Sequence, residues 1–89
     1  MHHLILYSRS YCHLCHDMEQ AVLRWQAHFT FSLDVLDVDA DPEAVLQFDE
    51  LVPVLLGRHG AGPSQEICHY FLDEARLQTF LQGAAIDPE

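Results

Sequence analysis

The chain has 89 residues and 49% of them are apolar, which is enough for one small domain with its own core. Fourteen acidic residues stand against four arginines and no lysine, so the formal net charge is −10. This balance argues against nucleic acid or an anionic membrane as a partner, because both are bound through clustered cations. Three cysteines are too few, and odd in number, for a secreted disulfide framework.

The N-terminal segment and the apolar runs of the sequence bear on the compartment in which the protein works. The opening MHHLILYSRSY has no long apolar segment of the kind that signal peptides carry, and no run approaches the roughly 18 apolar residues of a membrane span. We therefore expect a cytoplasmic protein, in a compartment that keeps thiols reduced. We expect it to work as a monomer.

The first half of the chain predicts a strand, a helix and a second strand. HLILY (3–7) is a continuous apolar run, typical of a central strand buried on both faces. Helical spacing with one buried stripe follows, at Leu14, Met18, Ala21, Val22, Trp25 and Phe29. Alternation then predicts a half-buried strand through Phe29, Phe31, Leu33 and Val35. The alternation slips at Leu36, which indicates a bulge or the strand's end.

The second half predicts a helix, two strands and a last helix. Asp41 and Pro42 are a strong helix start, since aspartate caps and proline at the first position forfeits no hydrogen bond. PVLLG reads as a short strand beginning at Pro53, RHGAGPS as a turn and QEICHYF as the returning strand. Asp73 is expected to cap a helix whose apolar face holds Leu77, Phe80, Leu81 and Ala84. Residues 1–83 form the predicted domain and residues 84–89 a tail.

The order β-α-β-α-β-β-α predicts an α/β domain with a mixed four-stranded sheet and helices on both faces. The first two strands are expected to be parallel and joined by a right-handed crossover. The short turn between the last two makes them an antiparallel hairpin.

The pair Cys12-His13-Leu14-Cys15 lies where the first strand's loop meets the first helix. Unpaired N–H groups and the helix dipole at that end stabilise a thiolate, which is the reactive form of cysteine. One helical turn brings Cys15 close enough to resolve a mixed disulfide formed at Cys12. Spacing and position thus favour thiol–disulfide exchange.

Other uses of the pair stay open. CHLCH matches the C-x-x-C-H haem attachment motif, although attachment follows export and we expect none here. Zinc held by these thiols and nearby histidines, or an iron–sulfur cluster shared by two copies, are alternatives, but the spacing lacks a second ligand pair and we expect no metal. An inactive adaptor that docks through its acidic surface is a further alternative.

The segments LILYS, CHLC and VPVLL together resemble the glutaredoxin-like branch of the thioredoxin fold over residues 3–82, and especially its small bacterial members. The resemblance implies that Cys12 attacks and Cys15 resolves. It also implies a cis peptide bond before Pro53, facing the cysteines, where the backbone of Val52 pairs with a bound substrate. Protein or small-molecule disulfides are then the partners, and no resident cofactor is needed.

Two departures from that family concern glutathione, which remains open as a co-substrate. Three roles stay open for Arg9, three residues before Cys12: it meets a glutathione carboxylate, it steadies the Cys12 thiolate, or it is a surface charge that balances an acidic protein. The Gly-Gly and Asp segment that holds glutathione in typical glutaredoxins is absent, and ICHYFLDE stands in its place. His13 and Leu14 replace the proline-containing spacers of typical members; a charged His13 favours the thiolate, and a His13 that points to solvent is the equally open alternative.

Cys68 is expected to be a small buried hydrophobe. The antiparallel hairpin places Cys68 to Tyr70 near Pro53, at the same edge of the sheet as the cysteine pair. His16 is expected to face solvent.

Overall fold

A computed structural model describes residues 2–83. Four strands and three helices follow the predicted order, with short 3₁₀ turns at Trp25–Ala27 and Val38–Ala40. The strands are β1 His2–Ser8, β2 Phe31–Asp37, β3 Val54–His59 and β4 Gln65–His69, and the helices are α1 His13–Arg24, α2 Pro42–Phe48 and α3 Glu74–Leu81. Ala84 and the predicted tail lie outside the described residues.

The sheet has the strand order β2-β1-β3-β4. β1 runs parallel to β2, with Leu4 opposite Leu33, and antiparallel to β3, with Leu6 opposite Leu55. β3 and β4 form the antiparallel hairpin, whose register shifts between Leu55 and Leu56. The mixed sheet and its central first strand are as the sequence predicts.

Helices cover both faces of the sheet. On one face, β1 contributes Leu4 and Leu6 to a core with residues of α1 and α3; its buried members are Leu4, Leu6, Met18, Val22, Phe31, Leu55, Ile67, Cys68, Leu77, Phe80 and Leu81. On the other face, Tyr7 of β1 packs its ring 5.2 Å from that of Phe48 in α2. Neighbouring residues of a strand point to opposite faces, so the two helical layers are separated by the sheet.

Two helices begin at the predicted caps. Asp41 accepts a hydrogen bond from the N–H of Glu43, and Asp73 accepts one from the N–H of Arg76. Pro42 takes the first helical position of α2. Within residues 2–83 no helix has the length and apolar character needed to cross a membrane.

The buried stripe of α1 differs from the predicted one. Leu14 is 38% exposed, while Cys15, Met18 and Val22 are the buried residues of the helix. Because Cys15 takes the inward position in the first turn, Leu14 is turned outward. Phe29 lies beyond the 3₁₀ turn that ends the helix, although it still packs on the core.

Strand ends also shift from their predicted positions. β2 continues through Leu36 to Asp37 without a bulge against β1, so the slip in alternation reflects the exposure of Val35 and Leu36 near the end of an edge strand. Pro53 precedes β3 instead of opening it, and β3 extends to His59 because its last residues pair with the start of β1. β4 ends at His69.

Candidate redox site

The two cysteines lie at the first turn of α1. Cys12 has the extended backbone of an N-cap residue, and its Sγ accepts a hydrogen bond of 3.1 Å from the N–H of Cys15. The two Sγ atoms are joined in a disulfide, with the Cα atoms 5.2 Å apart. Cys12 is partly exposed, whereas Cys15 is only 4% exposed. The outer sulfur can therefore meet a substrate while the inner one is sheltered by the core.

A cleft of about 400 Å³ opens beside Cys12. Its lining comes from the end of β1, the loop that follows and the first two turns of α1, namely Ser8, Arg9, Tyr11, Cys12, His13, Cys15, His16 and Glu19. Tyr11 has a φ of 62° and a fully exposed ring, so the loop presents an aromatic side chain directly before the cap. His13 and His16 are both exposed on the first turn, as expected for His16.

The structure places the guanidinium of Arg9 on two aspartates. Nε and Nη2 donate to the two carboxylate oxygens of Asp39, each at 3.0 Å. Nη2 also donates to Oδ1 of Asp49 at 2.6 Å, and Nη1 to the carbonyl of Asp49 at 3.2 Å. These hydrogen bonds, first those to Asp39 and then those to Asp49, raise the pKa of Arg9, and the two carboxylates fix the position of its guanidinium. This contact, which we call the Arg9 bridge, ties the loop after β1 to the segment before α2 and to the end of α2.

Val52 and Pro53 lie at the same end of the sheet as the cysteine loop. The Val52–Pro53 peptide bond is cis. Val54 pairs with Tyr7, one residue before Ser8, so the residues preceding β3 are brought to the loop that leads to Cys12. Among residues 2–83, no hydrogen bond engages the backbone of Val52.

The sequence predicts Tyr70 near Pro53, but it gives no sign of the turn or of the hydrogen bonds that Tyr70 makes there. With a φ of 64°, it turns the chain directly after β4. Its N–H donates to the carbonyl of Pro53 at 2.9 Å, and its hydroxyl donates to the carbonyl of Glu50 at 2.8 Å. Tyr70 thus holds the segment before β3 from two sides. Positive φ at tyrosine has no sequence signal, since turns of this kind favour glycine or asparagine.

A smaller cavity of about 190 Å³ lies between the first half of α1 and the turn after β4. Leu14, Tyr70 and Phe71 line it and are exposed, Phe71 to 69%. An apolar surface therefore borders the helix that carries the cysteines.

Cys68 is a free cysteine with 8% exposure, opposite Leu55 in the β3–β4 pairing, as the sequence predicts for a small buried hydrophobe. Its neighbours His69 and Tyr70 pair with Val54 and Pro53, which confirms the predicted placement of this segment beside the proline. Burial raises the pKa of the Cys68 thiol. In the described part of the chain, no three side chains of His, Cys, Asp or Glu come together as a candidate metal centre.

Solved structures share this architecture. The oxidised mitochondrial thioredoxin 3 of Saccharomyces cerevisiae is 15% identical, with 92% of this chain and 77% of that chain covered at a TM-score of 0.69. At that identity the likeness shows the fold alone. The fold and the paired cysteines define a thioredoxin-like protein with a C-x-x-C pair at disulfide distance, an arrangement that indicates redox activity.

The amino-acid sequence itself matches a protein family over nearly its whole length. The model of the glutaredoxin-like domain (DUF836) matches residues 3–82, so the chain belongs to that family. The NMR structure of protein Ne2328 from Nitrosomonas europaea is 31% identical, with 90% of this chain and 91% of that chain covered at a TM-score of 0.80. The X-ray structure of protein XcR50 from X. campestris is 29% identical, with coverages of 92% and 99% and a TM-score of 0.59. No protein with a curated functional description matches the sequence.

Proposed function

We propose that the protein is a cytoplasmic, monomeric thiol–disulfide oxidoreductase that acts on protein or small-molecule disulfides. The observation that carries the proposal is the arrangement of Cys12 and Cys15. The partly exposed Sγ of Cys12 caps α1 and accepts a hydrogen bond from the N–H of Cys15. It also forms a disulfide with the buried Sγ of Cys15.

The exchange proceeds in two displacements. In the reduced protein the Cys12 thiol loses its proton, and the thiolate attacks one sulfur of the substrate disulfide. The other substrate sulfur leaves as a thiolate and takes up a proton, and a mixed disulfide joins Cys12 to the remaining half. The Cys15 thiol then loses its proton and attacks Cys12 Sγ. The Cys12–Cys15 disulfide forms, and the remaining half leaves as a thiolate that takes up a proton, so two electrons pass from the dithiol to the substrate.

The first turn of α1 supports the attacking sulfur. The N–H of Cys15 that donates to Cys12 Sγ in the disulfide is placed to donate more strongly to a thiolate, because hydrogen bonds to charged acceptors are stronger. The helix dipole acts in the same direction. His13, exposed beside Cys12, adds to this support when its imidazole is charged.

Substrate is held by Val52 and Pro53. The backbone of Val52 makes no hydrogen bond within residues 2–83, so it is available to pair with an extended substrate chain. Tyr70 fixes the position of this segment through its contacts to Pro53 and Glu50. Leu14 and Phe71 offer apolar surface beside Tyr70.

The experiment is a trapping assay with an uncharged disulfide, 2-hydroxyethyl disulfide, and mass detection of each adduct. Cys15→Ser is expected to accumulate a mixed disulfide at Cys12, because the resolving thiol is missing. Cys12→Ser is expected to form none, and Cys68→Ser to behave as the parent protein.

An adduct that forms equally well on Cys12→Ser would overturn the assignment of the attacking thiol. Stoichiometric metal on the anaerobically purified protein, bound through Cys12 and Cys15, would overturn the proposed function in favour of a metal-binding module.

A further inference from the structure

The Arg9 bridge changes the charge that a substrate meets at the Cys12 cleft. Arg9 lines this cleft together with the acidic Glu19 and the two histidines of the first turn, His13 and His16. Asp39 and Asp49 contact Arg9 from outside the lining. The bridge sets one guanidinium against two carboxylates, so its net charge is negative. Asp39 and Asp49 are themselves more than half exposed, so their charge is felt by an approaching solute.

Four of the five N–H donors of the Arg9 guanidinium are also engaged by Asp39 and Asp49. The carboxylate of Asp39 accepts from Nε and Nη2 in a bidentate contact. The carboxylate of Asp49 accepts from Nη2, and its backbone carbonyl accepts from Nη1. An incoming carboxylate competes with carboxylates that are tethered to the same chain and therefore act at high effective concentration. Arg9 is accordingly a poor anchor for an anionic substrate.

We propose that the Arg9 bridge makes the site selective for disulfides that carry positive charge beside the sulfurs, and that Asp39 and Asp49 exclude anionic disulfides, glutathione disulfide among them. This inference rests on the proposed function, since it names the substrate class of the same site. It assigns specificity to two residues that lie far from Cys12 in sequence.

Three disulfides of similar size test the inference: cystamine, a dication; 2-hydroxyethyl disulfide, which is neutral; and 3,3′-dithiodipropionate, a dianion. Each rate constant for the reduced protein is divided by the rate constant of the same disulfide with dithiothreitol, which removes differences in leaving-group reactivity. At about 0.01 M salt, where the Debye length is about 30 Å, we expect the corrected rate to be at least about tenfold higher for cystamine than for the dianion. At about 1 M salt, where the length is about 3 Å, the ratio should approach one.

The variant Asp39→Asn/Asp49→Asn separates the bridge from the general acidity of the protein. For this variant, the rate with glutathione disulfide divided by the rate with 2-hydroxyethyl disulfide is expected to be about three- to tenfold higher than for the parent protein, because Arg9 becomes available to a carboxylate. The matched control Asp34→Asn/Glu74→Gln removes the same charge from exposed positions outside the bridge and should leave that ratio near the parent value. Adding Arg9→Gln to the bridge variant should abolish the gain.

A readout independent of turnover is the NMR signal of Arg9 Nε–Hε during titration with S-methylglutathione, which cannot react. We expect no shift in the parent protein and a saturable shift in Asp39→Asn/Asp49→Asn. A shift in the parent protein, or equal corrected rates for the three disulfides at low salt, would overturn the inference while leaving the proposed function intact. Failure to reduce 2-hydroxyethyl disulfide at all would instead overturn the proposed function, and the inference with it.

Discussion

Gly57 is the position in β3 where a single added methyl group should cost most. It pairs with Leu4 on the face that α3 covers. A Cβ at this position would lie 2.6 and 2.7 Å from two ring atoms of Phe80 and 2.9 Å from Cδ1 of Ile67. Phe80 and Ile67 are both fully buried, so neither can turn out to solvent.

The ring of Phe80 has little room to retreat. The ring of His59 lies edge-on to it at a centroid distance of 4.1 Å, and the ring of His2 is tilted against it at 5.6 Å. Overpacking of this kind costs about 1–3 kcal/mol. Replacing glycine with alanine stabilises by about 0.4–1 kcal/mol where space allows, because the unfolded chain loses freedom. The steric cost is larger, so Gly57→Ala is expected to destabilise by about 1–2 kcal/mol, which lowers the melting temperature by about 4–8 °C per kcal/mol in a domain of this size.

Urea unfolding of the oxidised protein, followed by the fluorescence of the single tryptophan, measures this loss. The matched test is the cycle with Phe80→Leu, which removes the ring atoms that clash. The double variant should lose less free energy of unfolding than the two single variants lose together, because the added methyl group and the Phe80 ring compete for the same space. A Gly57→Ala protein as stable as the parent, or strictly additive losses, would refute the packing described here.

Three further predictions concern the site and its supports. Burial raises the pKa of Cys68, so its thiol stays protonated at neutral pH and iodoacetamide should label Cys12 of the reduced protein first. Because the pKa of Cys68 in the folded protein exceeds the ordinary value of 9.0, the contribution of the protonated thiol to the free energy of unfolding is present below that pH and is lost as the pH rises above it. Cys68→Ala should remove this loss of stability at high pH. Equal labelling rates at Cys12 and Cys68 would contradict this. Tyr70→Phe removes the hydroxyl donor to Glu50 and should lower the free energy of unfolding by about 0.5–1 kcal/mol, with a rise in KM for a peptide disulfide; an unchanged KM would deny Tyr70 its positioning role. Asp73→Ala removes the cap of α3 and should cost about 1 kcal/mol in urea unfolding, whereas Asp73→Ser should retain most of the stability; equal losses would argue against the cap.

Much of the fold could be predicted because strong local signals agree with one another. The apolar run of β1, the Asp41-Pro42 start of α2 and the Asp73 cap of α3 each specify one element. Short connections then leave few ways to join them, and the sheet order follows from the parallel crossover and the closing hairpin. Periodicity was less reliable at element ends, where Leu14 is turned outward by Cys15 and Val35 lies on an edge strand.

The cysteine pair could be located from sequence because its chemistry depends on local spacing and on a helix N-terminus. The surroundings of the pair depend on contacts between distant residues, which spacing does not encode. Arg9 meets Asp39 and Asp49, thirty and forty residues further along the chain, and Tyr70 reaches back to Glu50. The acidic composition suggested many possible partners for Arg9, but only the folded chain selects two of them.

The proposed function requires that Cys12 and Cys15 form a working dithiol–disulfide couple. The most direct measurement is an equilibrium titration of the protein in buffers of 2-mercaptoethanol and 2-hydroxyethyl disulfide, quenched with acid and read by mass spectrometry. We expect one reversible transition between a dithiol and a disulfide form lighter by two hydrogen atoms, with the bond mapped to Cys12 and Cys15 and Cys68 unchanged. A pair that stays reduced across the whole range, or a disulfide that maps to Cys68, would contradict the claim.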